Sequence, residues 1–486
     1  MMNDREFDRM LEEELELLPL PDQEAAAVNP WEKAMGQIVW GLGLTTLTLN
    51  HWYLNYLLPA IGMVLLLLGH RTLRKENRWF GWAWYLTAAE AARMFITFTL
   101  QATRFDWANL LVWQLVWAAL HMAELFCLWQ GIRQVRRKAD QPDKAGAVVA
   151  LMVWSGVILI VAWMGGSGWI LLLPLLAAYI AILVSLGKLT HLLDGAGYCV
   201  TAAPVRMPDR IVGGAYLVSL ALCIAGCLSA FGHYPMDWQQ RGERWQGDTA
   251  AIRENLAELG FPSDLLADLS EEELLRCEGA VYVDWESDDR SDSAWDVKGK
   301  EPETLLVAVT LPEGRYRLFQ AFRWTEDPSV RGMDCIELWP PEDGRSDGDI
   351  RWEDIGGQLF CELEGRTYGS PYHSLEETTA SYDSMFFGWT EQRAIYGTFS
   401  FPVSGENCRG YVAYDLGLEE SYWEDWPEGV VKDHHYAWLN YTYQKSWLNY
   451  PMTTGLEYRL SGGLRNHMFD RAQYQLEAYV RLNNKP

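Results

Sequence analysis

The chain reads as an α-helical membrane bundle of about seven spans, N-terminus in and C-terminus out, followed by an extracytoplasmic α+β domain dominated by an antiparallel β-sandwich. Three observations predict this. Seven apolar stretches lie between Ala34 and Gly232. The Lys and Arg residues around them fall almost wholly on alternate connections, and basic loops stay on the cytoplasmic side. Beyond Ala280 the apolar residues change to a period of two, in short runs separated by Gly, Pro, Asp and Glu.

Residues 1–33 form an acidic cytoplasmic arm. Phe7, Met10, Leu11, Leu15 and Leu18 recur at helical spacing until Pro19 and Pro21, which predicts an amphipathic helix. Its acidic faces suit a cytosolic protein partner better than an anionic lipid surface, where basic residues are expected. Docking of the helix on the chain's own cytoplasmic loops is the competing reading.

The membrane domain, 34–232, has spans at 35–50, 53–69, 79–102, 107–129, 147–164, 168–187 and 211–231, most of them near the ~20 residues that hydrocarbon requires. The first two are short. They make either a tight hairpin through Asn50, His51 and Asn55, with Pro59 kinking the second, or a pair that enters and returns without crossing. The connections Arg71–Arg78, Arg133–Lys144 and Lys188–Arg210 hold 12 Lys and Arg, and those near His51, Arg104 and Gly165 hold one. Trp31, Trp52, Trp79, Trp107 and Trp169 sit near span ends, where interfacial aromatics belong.

Residues 233–278 predict a membrane-proximal helical segment. One helix is stopped by Gly260 and Pro262, a second starts at Ser263, and Ser270 with Glu273 makes a capping-box pattern before a third. Residues 279–486 predict about nine or ten strands: 281–285, 304–311, 316–324, 335–339, 358–363, 394–401, 411–416, 436–443 and 473–482. The loop 286–300 is the most polar.

Charge divides with the architecture. The formal net charge of the chain is -25, and residues 233–486 alone carry 47 acidic and 23 basic side chains. Such a surface repels polyanions, which excludes a nucleic-acid partner and leaves the lipid bilayer, a cytosolic protein at the arm, and a sugar or peptide ligand outside. Of eight cysteines, Cys277, Cys335, Cys361 and Cys408 lie in the external part, where four cysteines permit three pairings that spacing does not separate.

Within the membrane domain, Glu90, Arg93, Thr97, Gln101 and Arg104 line one face of the third span, and Gln114, Trp117, His121 and Glu124 one face of the fourth. Ionisable groups are costly in hydrocarbon unless paired, so Glu90, Arg93, His121 and Glu124 form the candidate intramembrane polar cluster. Its functional reading is a proton- or ligand-responsive site; the competing reading is a polar network that holds two helices together. Outside, Trp423, Trp426, Trp438 and Trp447 are the candidate ligand surface, since aromatics beside acids suit sugars and peptides. The acidic clusters at Asp284–Asp289 and Glu342–Asp349 lack the spacing of a calcium loop. No nucleotide, cofactor, metal or catalytic motif is present, so the pattern predicts a non-enzymatic protein.

The run through Phe7, Leu11, the Pro19–Pro21 break and Trp31 resembles the cytoplasmic arm of membrane-bound anti-sigma factors. Trp31–Arg78, especially Gly41–Asn50 and Leu57–Arg74, resembles uncharacterised multi-pass membrane proteins of clostridial-type Gram-positive bacteria. This likeness implies a bacterial plasma membrane and supplies no activity. Together these features predict an integral membrane sensor or interaction protein that couples an external binding domain to a cytosolic partner. A small transporter or intramembrane enzyme centred on the polar spans is the alternative.

Overall fold

The computed structural model describes residues 30–481, except 48–52, 106–110, 143–144, 165–168, 194–195, 197, 205, 242–248, 289–300, 313–314, 340–349, 385–387, 419–431 and 462–467. The chain divides into two compact units, Met1–Cys227 and Leu228–Pro486.

The first unit is helical: α1 (Trp31–Thr46), α2 (Leu54–Leu73), α3 (Arg78–Leu100), α4 (Leu111–Lys138), α5 (Gly146–Trp163), α6 (Trp169–Gly187) and most of α7 (Asp209–Phe231), whose last turn passes the boundary at Cys227. Among the described residues three stretches, against the seven spans expected, are both long and apolar enough to cross a membrane: α2, Gln114–Lys138 of α4, and α7. The described stretches Gly146–Val161 of α5 and Leu173–Gly187 of α6 are also apolar, and α1 has 16 residues. Only 11% of the apolar window of α7 is buried, with Val218 and Leu222 on its exposed face. Apolar surface on that scale is unstable in water and marks a membrane-associated protein.

Glycines decide how α1 meets α2. A Cβ on Gly41 would lie 2.8 Å from the Gly62 carbonyl oxygen, one on Gly62 would lie 2.8 Å from Thr45 N, and one on Gly69 would lie 2.7 Å from the Ala34 carbonyl oxygen. The two helices are therefore antiparallel neighbours in backbone contact, which only residues without a side chain permit.

The three basic connections meet at one end of this unit. Ala203 N donates to Thr72 O at 3.0 Å, and Arg71 Nη2 to Met207 O at 2.6 Å. The buried Glu76 carboxylate accepts from Lys138 Nζ at 2.7 Å, Tyr198 Oη at 2.6 Å and Thr201 N at 2.7 Å. Trp31 Nε1 donates to Leu189 O, and Lys33 pairs with Asp209 at 3.0 Å. Asn77 caps α3 through Trp79 N and Phe80 N while its amide reaches Gly131 O.

The second unit holds two antiparallel sheets. Its strands are β1 (Gln239–Gln240), β2 (Tyr282–Asp288), β3 (Glu303–Thr310), β4 (Tyr316–Arg323), β5 (Asp334–Trp339), β6 (Ile350–Leu363), β7 (Arg366–Ser370), β8 (Ser374–Ser384), β9 (Gly388–Phe399), β10 (Glu406–Leu418), β11 (Lys432–Gln444) and β12 (Phe469–Arg481). One sheet runs β1-β7-β6-β10-β4-β3-β2 and the other β12-β11-β5-β9-β8. Their facing sides share an apolar core that includes Leu318, Phe322, Ile336, Phe399, Tyr441 and Tyr474. The short helices α8 (Thr249–Glu258), α9 (Ser263–Asp268) and α10 (Glu271–Arg276) cover the other side of the first sheet through Leu256, Leu266 and Leu274. With both sides covered, β4 is buried along seven of its eight residues, including Arg317 and Gln320. A last helix, α11 (Gly455–Leu460), carries a capping box made by Thr454 and Glu457.

Three strands beyond the expected set, β1, β7 and β8, complete the sheets. The sequence of β8, SLEETTASYDS, is polar because it is an edge strand paired only with β9. Of the capping-box pattern at Ser270, one half forms. Ser270 Oγ accepts from Glu273 N at 3.1 Å, while the Glu273 carboxylate turns to Arg317.

Candidate functional site

Three helices of the first unit converge on one carboxylate. Glu124 of α4 is buried, and its Oε1 accepts from Thr87 Oγ1 of α3 at 2.6 Å. The same hydroxyl lies 2.8 Å from Nδ1 of His70 on α2. With the Thr87 proton on Glu124, the hydroxyl oxygen accepts from His70 Nδ1–H, and His70 Nε2 keeps the lone pair. That nitrogen is buried and has no hydrogen-bond partner among the described residues. His70 Nδ1 also stands 3.7 Å from Glu124 Oε1, and on the other side His121 Nδ1 stands 3.8 Å from Glu124 Oε2. The carboxylate thus lies between two imidazoles, one sealed and one whose side chain is 42% exposed.

Glu90 and Arg93 complete the cluster from α3. Arg93 Nε donates to Glu90 Oε2 at 2.8 Å, and the guanidinium lies 5.4 Å from the ring centre of Trp117 on α4. The charges of both residues act on His121. The arrangement brings Glu90, Arg93, His121 and Glu124 into one electrostatic group, with Thr87 and His70 added. His70 escaped the sequence pattern because it borders the basic Arg71 connection and reads as part of it. Thr87 carried a usable signal, since it extends the Glu90–Arg93 stripe by one three-residue step. Among the described residues no group of three His, Cys, Asp or Glu side chains is placed to hold a metal. Two imidazoles beside a carboxylate can bind a proton and compensate charge.

In the second unit, Trp438 of β11 stacks on Trp339 of β5 with ring centres 6.3 Å apart and planes 22° apart. Behind this pair the buried Glu337 carboxylate accepts from Tyr396 Oη and Asn440 Nδ2, each at 2.8 Å, and from Arg459 Nε. The Arg459 guanidinium lies 5.5 Å from the Trp339 ring centre. Trp447 is 72% exposed on a loop and makes no ring contact with Trp438. Trp423 and Trp426 lie outside the described residues, as do Phe7, Leu11, Leu15 and Leu18 of the arm. An open cleft of about 860 Å³ lies between α9 and the first sheet, lined by Asp268, Trp285, Arg323 and Arg409. Both arginines of the lining are paired, Arg409 with Asp268 at 2.6 Å and Arg323 with Asp264 at 3.0 Å. Asp284 and Glu286 of β2 accept from the backbone of Tyr479 and Glu477, so these acids cover the edge of β12.

No family model matches this chain, and no curated protein sequence matches it.

Proposed function

We propose that this chain is a multi-pass integral membrane sensor, its N-terminus in the cytoplasm and its sheet unit outside. The sheet unit takes up a sugar or peptide ligand, and the bundle alters the availability of residues 1–33 to a cytosolic partner. The observation that carries this reading is the His70–Thr87–Glu124–His121 chain. It links three helices through a carboxylate held between two histidines, the residue type whose charge can switch near neutral pH, which is what a bistable element in the bundle needs. Support for the orientation comes from the contacts among the three basic connections, because one cytoplasmic face is where such loops collect.

The test is mass spectrometry of proteins crosslinked in cells to the full chain and to a version lacking residues 2–30. A cytosolic protein captured only by the full chain is the expected result. Identical capture by both would end the regulatory-arm reading.

A second reading, a small transporter or intramembrane enzyme, is favoured by one observation: His121 is partly exposed while its partner Glu124 is sealed, as an entry path for a proton would require. On this reading Glu90→Gln and His121→Ala abolish uptake or turnover in protein that still folds. Loss of folding alone would reduce the cluster to a structural network.

A further inference from the structure

We infer that Cys361 and Cys408 form a built oxidation site that closes into one intramolecular disulfide between β6 and β10. The inference rests on the reading above that the sheet unit lies outside the cytoplasm, in a compartment where disulfides persist.

The fold separates the four cysteines of this unit. Cys277 follows α10 in the cluster between helices and first sheet, and Cys335 of β5 belongs to a small cluster with Ala394 and Tyr396. Cys361 and Cys408 are both fully buried in the core shared by the two sheets. Their strands are antiparallel neighbours, with Glu406 opposite Glu362 and Arg409 opposite Phe360. Between those pairs Asn407 and Cys408 together face Cys361, a bulge made possible by the positive φ of Asn407, 49°. Opposed residues on antiparallel strands have Cα atoms roughly 4.5–5.5 Å apart, inside the roughly 4.4–6.8 Å that a disulfide spans. One guanidinium marks the same spot. Arg331 Nη1 donates to Cys408 Sγ and Nη2 to the Gly405 carbonyl, and a Cβ on Gly405 would lie 3.5 Å from Cys361 Sγ.

The chemistry is exchange with a disulfide oxidant. One cysteine thiolate attacks the oxidant's disulfide and expels one thiol. The second cysteine attacks the mixed disulfide and expels the other. Two protein thiols become one cystine, and the oxidant leaves as two thiols carrying both electrons and both protons. Burial pushes the Cys361 thiol up to about 11 and the Cys408 thiol up to about 12. Poor leaving groups in a sealed core make the bond slow to reduce, so it acts as a structural staple closing the segment that contains β7, β8 and β9.

Full-length protein is acid-quenched in cells, its free thiols are alkylated, and it is digested without reduction for mass spectrometry. The expected result is a linked peptide pair containing Cys361 and Cys408, with Cys277 and Cys335 alkylated. Reduction should then lower the melting temperature of the sheet unit by roughly 10 °C. If all four are alkylated, isolated membranes are treated with copper–phenanthroline just below the melting transition. Closure of the 361–408 pair at that step upholds the site and overturns the external location. No closure, or a bond to another cysteine, overturns the site itself.

Discussion

Both units bury carboxylates beside permanent cations, as Glu76 lies beside Lys138 and Glu90 beside Arg93 in the helical unit, but Glu124 of that unit is met by histidines. In the sheet unit Glu273 is met by Arg317 at 2.6 Å, Asp268 by Arg409 at 2.6 Å and by Arg241 at 3.1 Å, and Glu337 by Arg459. In the helical unit Glu124 has two histidines, His70 at 3.7 Å and His121 at 3.8 Å. A guanidinium stays charged at any physiological pH, so the first arrangement is a lock. An imidazole gains or loses its charge near neutrality, so the second can exist in two states. The difference teaches where to look for regulation: at the carboxylate whose counter-charge is conditional.

The lock is broken most severely at Arg317. Its side chain is fully buried between Glu273 and Asp415, at 2.6 Å from each. Arg317→Met leaves two carboxylates without a cation and should cost about 3–5 kcal/mol. Hydrogen-exchange protection along β4 and β10 of the full-length protein reads this out. A loss below about 1 kcal/mol would mean the pair is not a lock.

Asp334 tests the same unit where an arginine is not in direct contact. Its oxygens accept from Tyr441 Oη at 3.1 Å and Gln444 N at 3.2 Å, and Trp324 Nε1 donates in turn to the Tyr441 hydroxyl. Burial, opposed by those donors and by the charge of Arg331, pushes its carboxyl from 3.8 up to about 7. The folded state therefore holds a proton that the unfolded chain releases near 3.8. Its stabilising effect is complete below that value and is lost as pH rises to about 7. The sheet unit should lose up to about 4 kcal/mol over this window, and Asp334→Asn should flatten the slope. Denaturant midpoints at pH 4, 5.5 and 7 measure it; an unchanged slope in the variant assigns the effect to another group.

How much of this was legible in the sequence depends on whether a signal was local. Alternation along 304–311 and 316–324 marked β3 and β4, and acids and prolines marked the turns. What alternation does not record is which strand lies at an edge, so the polar β8 reads as a loop until its pairing with β9 is seen. Likewise Ser270 and Glu273 share the spacing of a capping box, but the buried Arg317, 44 residues away, draws the carboxylate off. The third- and fourth-span stripes exposed Glu90, Arg93, His121 and Glu124 because helical spacing is local. His70 entered only through packing of a separate helix, which a single stripe does not encode.

The conditional site should show its two states as a pH transition. Arg93 lies over Trp117, so fluorescence of the helical unit reports on the cluster. Between pH 5 and 8, where imidazoles exchange their charge, the native protein should pass through a sigmoidal change. Glu124→Gln keeps an acceptor for Thr87 but removes the charge between the imidazoles. It should cost about 1–2 kcal/mol in stability and abolish the transition. A transition unchanged in Glu124→Gln would remove the histidine pair from the comparison.

The smallest effect is expected where an arginine–carboxylate pair meets solvent. Arg393 and Glu377 face each other across β8 and β9 at 2.5 Å, with side chains 35% and 29% exposed. The distance matches the buried pairs, but water already solvates both ions, so replacing either leaves no stranded charge. Arg393→Ala should cost no more than about 0.2–1 kcal/mol, and raising the salt concentration should erase part of that difference. Denaturant midpoints of the two proteins at low and high salt decide it. A loss comparable to Arg317→Met would mean that ion-pair geometry, rather than burial, sets the strength of the lock. The contrast between arginine-held and histidine-held carboxylates would then have to be drawn from bond lengths alone.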